Sequence, residues 1–259
     1  MIHASCGNSA LTSNNQRQRV ELEPAYVLHQ FDYRDSSRIV EFLVRDHGRV
    51  AAVSRGVRRS SNRQRGLLRP FQPLLLSWTG RELGTMTGLE SAGPPQALEG
   101  EAVLAGFYLN ELCLRLIAAH DPHPEIFVLY ANTLNALNTG PVAPALRRFE
   151  AGLLDALGYG LNLAVEQRSG KAVESGAQYL FHVDSGPERA TPQSDHAILV
   201  RGEHLLAMSE GRFDDPQVAR DAQRIFRQAI DRHLGGRPLK SRDVMREMVA
   251  RKRGAPESR

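Results

Sequence analysis

At Gly93-Pro94-Pro95 the hydrophobic period of this chain changes from two to about 3.6, and no other feature restricts its fold so strongly. Alternation of apolar and polar residues suits one face of a strand, whereas a 3.6-residue period suits a helix stripe. Tandem prolines cannot continue a strand, and they sit well just before a new helix. The chain is therefore expected to fold in two parts, strands first and helices second.

Before the prolines, short β-rich runs occur at 25–29, 39–44, 50–53, 73–78 and 83–89, with Asp35-Ser36-Ser37 and Asp46-His47-Gly48 as turns. Five strands in so short a span, mostly without helices between them, predict a closed barrel of OB type over 20–92. The faces and loops of that fold commonly hold single-stranded nucleic acid. After the prolines, helices are predicted over 99–119, 124–138 and 144–157, the third with Leu146, Phe149, Leu153 and Leu157 on one face. An irregular insert at 160–205 carries two strand-like runs, at 178–183 and 197–201. Helical periodicity returns at Pro216, where Val218, Ala222, Ile225, Phe226, Ala229, Ile230 and Leu234 form one stripe that Gly235-Gly236 stops. A last short helix follows Ser241, with Val244, Met245, Met248 and Val249 expected inward. The fold class is α+β: an OB barrel over 20–92 and a mostly helical domain over 93–252. A disordered extension over 1–19 and a flexible tail over 253–259 are expected at the ends.

Two distant cysteines, Cys6 and Cys113, argue against a disulfide framework and for a reducing compartment, with Cys113 a buried thiol. Residues 1–20 lack the apolar stretch of a secretory signal. The apolar segment 102–119 is broken by Asn110, Glu111 and Arg115, so it reads as a core helix rather than a membrane span.

Net charge is only +4, but it is unevenly spread. Residues 1–80 hold 12 arginines against 6 acids, 81–211 hold 8 basic residues against 16 acids, and 212–259 hold 13 against 7. Basic ends around an acidic middle suit a polyanionic partner. The sharpest local feature is 55–69, six arginines in fifteen positions without an acid: Arg55, Arg58, Arg59, Arg63, Arg65 and Arg69. Such a connection between strands can neutralise several phosphates and release their counterions. Arg34 and Arg38 flank the turn at 35–37 and extend the track. Tyr33 is a candidate for stacking on a base. Phe31 is another, although the barrel core suits it better.

Sites for chemistry do not emerge. The chain has no phosphate loop, no dinucleotide glycine pattern, no His-Glu-x-x-His and no Gly-x-Ser-x-Gly. His120-Asp121-Pro122-His123 reads as a turn, because the proline breaks the helix that would align its ligands. His182 and His196 have no cysteine near them, and zinc needs about four good ligands. No catalytic residue, metal site or cofactor is expected, and the insert is expected to be held by Tyr179, Phe181, Ile198 and Leu199.

Several segments resemble the RecO family of bacterial recombination mediators. They are Ala25-Tyr-Val-Leu-His with Tyr33-Arg-Asp-Ser-Ser, Gly48-Arg-Val, Ser54-Arg-Gly-Val-Arg-Arg, and Leu68-Arg-Pro-Phe-Gln-Pro-Leu. In the helical part Tyr108-Leu-Asn-Glu-Leu, Leu146-Arg-Arg-Phe-Glu, Leu157-Gly-Tyr-Gly and Leu234-Gly-Gly-Arg-Pro-Leu-Lys-Ser-Arg continue the likeness in order over about 20–250. The resemblance implies binding of single- and double-stranded DNA, annealing of complementary strands, and help in loading RecA onto strands coated by single-strand-binding protein. It implies RecR as partner, the cytoplasmic nucleoid as location, and no ATPase activity. Some relatives carry a four-cysteine zinc module where 160–200 here has no cysteine, so that metal is not carried over. The acidic tail of single-strand-binding protein is the further implied partner. Arg147 and Arg148, the only adjacent basic pair between Glu82 and Arg212, suggest its seat beside Leu154. An intramolecular ion pair would explain Arg147 equally well. The runner-up function is an RNA-binding or RNA-remodelling OB protein, since backbone binding is nearly blind to base identity. A protein-binding adaptor leaves the arginine cluster without a role, and a hydrolase lacks its motifs.

Overall fold

The five β-rich runs all become strands, in a computed structural model that describes residues 19–55, 66–190 and 198–254. They are β1 (Arg19–Tyr33), β2 (Ser37–Val44), β3 (Gly48–Ser54), β4 (Leu74–Thr79) and β5 (Leu83–Ser91). They close into a barrel in the order β1-β2-β3-β5-β4, with β1 pairing with β4 and a parallel contact between β3 and β5. This is the OB arrangement. Its interior is filled by alternate residues, among them Val27, Phe42, Val50, Leu76 and Trp78. The expected disordered extension lies outside the described residues except for Arg19, which already pairs with Thr79.

The helical part begins with α1 (Glu101–Leu116), α2 (Pro124–Thr139) and α3 (Val142–Ala156). A three-stranded sheet follows, formed by β6 (Gln178–His182), β7 (Gly186–Arg189) and β8 (Ile198–Arg201). Then come α4 (Gly202–Ser209), α5 (Pro216–His233) and α6 (Lys240–Gly254). Two elements, β7 and α4, were not legible: within the expected insert, 160–177 form no named strand or helix, and the described residues from Gln178 on form a three-stranded sheet that leads into α4. In it Tyr179 and Phe181 are buried as expected, but Leu199 is exposed and Val200 is buried in its place. Val200 faces Tyr179 across the β6–β8 ladder, and the strand's alternation turns Leu199 to the other side. The stripe on α5 packs inward as read, and Cys113 is a fully buried thiol whose burial pushes its pKa up.

Barrel and helices share a bonded seam. Asn110 Nδ2 on α1 donates to the backbone oxygen of Leu28 (3.0 Å), and its own oxygen accepts from Tyr130 (2.6 Å). Arg49 Nε donates to Ile117 O (3.2 Å). The β2–β3 turn presses so closely on 121 that a Cβ on Gly48, at φ +66°, would lie 1.9 Å from the Asp121 oxygen. Only glycine fits there.

Helix α6 departs from its expected orientation. Val244 and Met248 are exposed rather than inward, and only Met245 of the described stripe packs against the core. A cap fixes its rotation: the Glu111 carboxylate on α1 accepts from Lys240 N (3.0 Å), Ser241 N (2.8 Å) and Ser241 Oγ (2.6 Å). Burial alone would raise the pKa of Glu111, but the hydrogen bonds from Ser241 and Lys240 outweigh it and hold the carboxyl below its usual range. Glu111→Ala is expected to cost about 0.5–2 kcal/mol, the scale of a lost cap, and to speed amide exchange in α6. A depressed carboxyl pKa stabilises above the unfolded value and loses that contribution as pH falls through the folded value. The native chain should therefore show the same loosening of α6 on acidification, and the variant should not.

Candidate nucleic-acid interface

β1 changes sides partway along its length. At Ala25 and Val27 its odd-numbered residues fill the barrel; between Val27 and His29 a bulge inserts one residue into the pairing with β2. One extra residue reverses which side chains face inward. Beyond the bulge His29, Phe31 and Tyr33 face outward, opposite Glu41, Ile39 and Ser37, while Gln30 and Asp32 take the other face. Phe31 therefore does not enter the barrel core: it is 46 % exposed. His29 is exposed with its ring 6.1 Å from that of Phe31, and Tyr33 is half-buried.

The arginines gather at the same end of the barrel. Arg34, in the left-handed region at φ 53°, holds its guanidinium 5.1 Å from the centre of the Tyr33 ring. Ser54 pairs with Arg38, so Arg55 leaves β3 beside the β1–β2 turn. The far end of the connection returns to the same place, where Gln30 Nε2 donates to Leu68 O (3.3 Å) and buried Leu68 plugs the barrel. Arg55 and Arg69 are exposed. Arg58, Arg59, Arg63 and Arg65 lie outside the described residues. Arg38 is on the face away from the rings, where it donates to Asp32 (3.0 Å) and Gln30 (3.3 Å). Its charge is already shared with an acid, which makes it the least available of the described cations at this end.

In the helical domain the expected trio does not converge. Arg147 is buried and donates to Glu150 Oε1 (2.8 Å), where the Tyr108 hydroxyl also donates (2.7 Å). Arg148 pairs with Asp214 on the surface (2.7 Å). Leu154 is buried and faces a separate cavity of about 250 Å³ beneath Met208 and Phe226. A separate groove of about 580 Å³ lies between α1, α3, α5 and α6. Val142, Leu146, Ala219 and Met245 give it an apolar floor, Arg147 and Glu150 form its back wall, and Arg220, Arg227, Arg242 and Arg246 surround it. Among the described residues, Arg147 Nε and Glu150 Oε2 have no hydrogen-bond partner. Burial pushes Glu150 above the usual carboxylate range, and Arg147 beside it only partly offsets that.

Two sets of residues escaped the sequence reading. His29 belongs to an alternating His29-x-Phe31-x-Tyr33 row, a pattern that was visible but lacked a side until the bulge was placed. Arg220 and Arg227 sit seven apart on α5, on the face opposite its apolar stripe, and that spacing was legible too. Among the described residues no group of three or more His, Cys, Asp or Glu side chains is arranged to hold a metal ion. No described helix is long and apolar enough to cross a membrane.

Comparison with known proteins accounts for both halves. The family models "Recombination protein O N terminal" and "Recombination protein O C terminal" match residues 20–95 and 98–243. A DNA repair protein RecO of Alkalilimnicola ehrlichii is 47 % identical over 240 residues, 92 % of this chain and 95 % of its own. Those of Methylococcus capsulatus and Aromatoleum aromaticum are 44 % and 42 % identical, over 88 % and 90 % of this chain and 94 % and 98 % of theirs. On matches of this extent to both its barrel and its helices, the chain belongs to the RecO family of DNA repair proteins.

Proposed function

We propose that this chain is a recombination mediator that works by binding rather than by catalysis. It holds single- and double-stranded DNA at the arginine-rich end of its barrel, anneals complementary strands, and helps RecA load where single-strand-binding protein coats the DNA. RecR is the expected partner. The observation that carries the DNA reading is the convergence of Arg34, Arg55 and Arg69, with both ends of the arginine-rich connection, on one end of an OB barrel. A cationic rim of that kind neutralises phosphates without regard to sequence, as annealing of any two complementary strands requires.

The acidic, hydrophobic tail of single-strand-binding protein fits the 580 Å³ groove better than the surface around Arg148. Its carboxylates would meet Arg220 and Arg246 at the rim, and an aromatic side chain would reach the floor at Leu146 and Met245. Arg220 is exposed and has no ion pair or hydrogen bond among the described residues.

The test is annealing of complementary oligonucleotides, bare or coated with single-strand-binding protein. The chain should accelerate both. The double change Arg220→Ala with Arg246→Ala should slow annealing on coated strands by about tenfold or more, since a lost charged hydrogen bond is worth roughly 1–3 kcal/mol, and should leave bare strands nearly unaffected. No acceleration of bare strands by the native chain would defeat the DNA reading. Equal loss on both substrates would remove the groove from tail capture.

A further inference from the structure

His29, Phe31 and Tyr33 form a row of three rings on one outward strand face, ending beneath the Arg34 guanidinium. None of the three rings belongs to either core cluster of the described residues. Phe31 is 46 % exposed, so its ring contributes little to the core, and the barrel interior is filled without it. An exposed phenylalanine between a histidine and a tyrosine, beside a cationic barrel end, presents flat apolar faces to whatever polyanion the arginines attract.

We propose that this row is a base-stacking track, one ring per base, that lets the protein hold unpaired DNA in preference to duplex. The inference rests on the DNA-binding reading above and deepens it. The spacing decides which form of DNA can use the track. Alternate residues of a strand lie about 6.7 Å apart, in keeping with the 6.1 Å between the His29 and Phe31 rings. That is roughly twice the 3.4 Å step of a stacked strand. Bases can follow the rings only by leaving their own stack, which an unpaired strand does easily and a duplex does not. Stacking on an aromatic side chain is tolerant of sequence because every base has a flat face. Arg34 stands where the phosphate beside the last base would lie, and its contact with Tyr33 holds it there.

The experiment uses the full chain and three probes: an oligodeoxythymidylate, an abasic strand of the same length and charge, and a duplex. Phe31→Ala should weaken oligothymidylate binding about fivefold to a hundredfold, the measured range for one stacked base. It should change abasic-strand and duplex affinity less than about twofold and leave the salt dependence unaltered. Phe31→Leu, which keeps apolar bulk but not the flat ring, should behave like the alanine variant; this separates stacking from loss of packing. Phe31→Trp adds an optical readout. Its emission should be quenched by oligothymidylate and not by the abasic strand, while the one native tryptophan, Trp78, is 2 % exposed and adds a constant background out of reach of the bases. If native chain and Phe31→Ala bind both strands alike, or the alanine variant loses both equally, the track is overturned and the arginine reading survives. If the native chain binds neither strand, the DNA reading fails and the track with it.

Discussion

Replacing Arg58, Arg59, Arg63 and Arg65 together by alanine is expected to flatten the plot of log affinity against log salt for single-stranded DNA by roughly 3 units, at about 0.7 per lost phosphate contact. If affinity extrapolated to about 1 M salt is unchanged, the loss at about 0.1 M amounts to two or three decades. These four side chains lie outside the described residues, but the ends of their segment do not. Arg55 leaves β3 beside the β1–β2 turn, and Leu68 is tied back to Gln30 at the same end. Both described ends of the segment thus lie at the rim where Arg34 stands. The loss should be nearly uniform across base sequences, since phosphate contacts carry no sequence information. Lysine at all four positions should restore most of the slope, because counterion release counts charges rather than forks. An unaltered slope in the alanine variant would take this segment out of the DNA site.

The second large effect concerns folding of the helical domain. Glu150→Ala should destabilise the chain by about 3–5 kcal/mol, the scale for removing one partner of a buried ion pair. For a chain of this size that lowers the melting temperature by roughly 6–20 °C. Arg147 and Glu150 are 5 % and 2 % exposed, so an arginine stripped of its carboxylate has little access to water. The Tyr108 hydroxyl, whose pKa burial pushes up and which stays a donor, would lose its acceptor as well. The reverse change should be milder and should depend on pH. In Arg147→Ala the buried carboxyl can take up a proton, and burial already pushes its pKa up. A carboxyl with a raised folded pKa contributes its stability below the unfolded value and loses it as pH rises through the folded value. The penalty of Arg147→Ala should accordingly be smaller near about pH 5 than near about pH 8, measured by thermal melting. An alanine variant at 150 that melts like the native chain would show that Glu150 does not hold this wall of the groove.

Legibility followed the range of the interaction that places each element. The five barrel strands and the helices at 101–116, 124–139 and 216–233 were readable because their apolar periods are long and their ends are marked by prolines, glycines or Asp215, which caps α5 through Gln217 N. Eight residues of α4 opening on Gly202 are too few for a helical period to stand out. The rotation of α6 could not be read from its own apolar residues. Glu111, 129 positions earlier, sets it through the backbone of Lys240.

The sequence by itself determined a barrel followed by helices, the arginine-rich connection between two barrel strands, and a pair of arginines on the third helix. Tertiary structure decided which of those side chains are available. A single inserted residue between Val27 and His29 turns Phe31 out of the barrel, because strand alternation transmits a one-residue shift to every side chain beyond it. The acid that engages Arg147 was only three positions away and visible. What the sequence could not reveal is that α1, α5 and α6 cover both groups, and burial is what converts an ordinary surface pair into a wall that must stay intact.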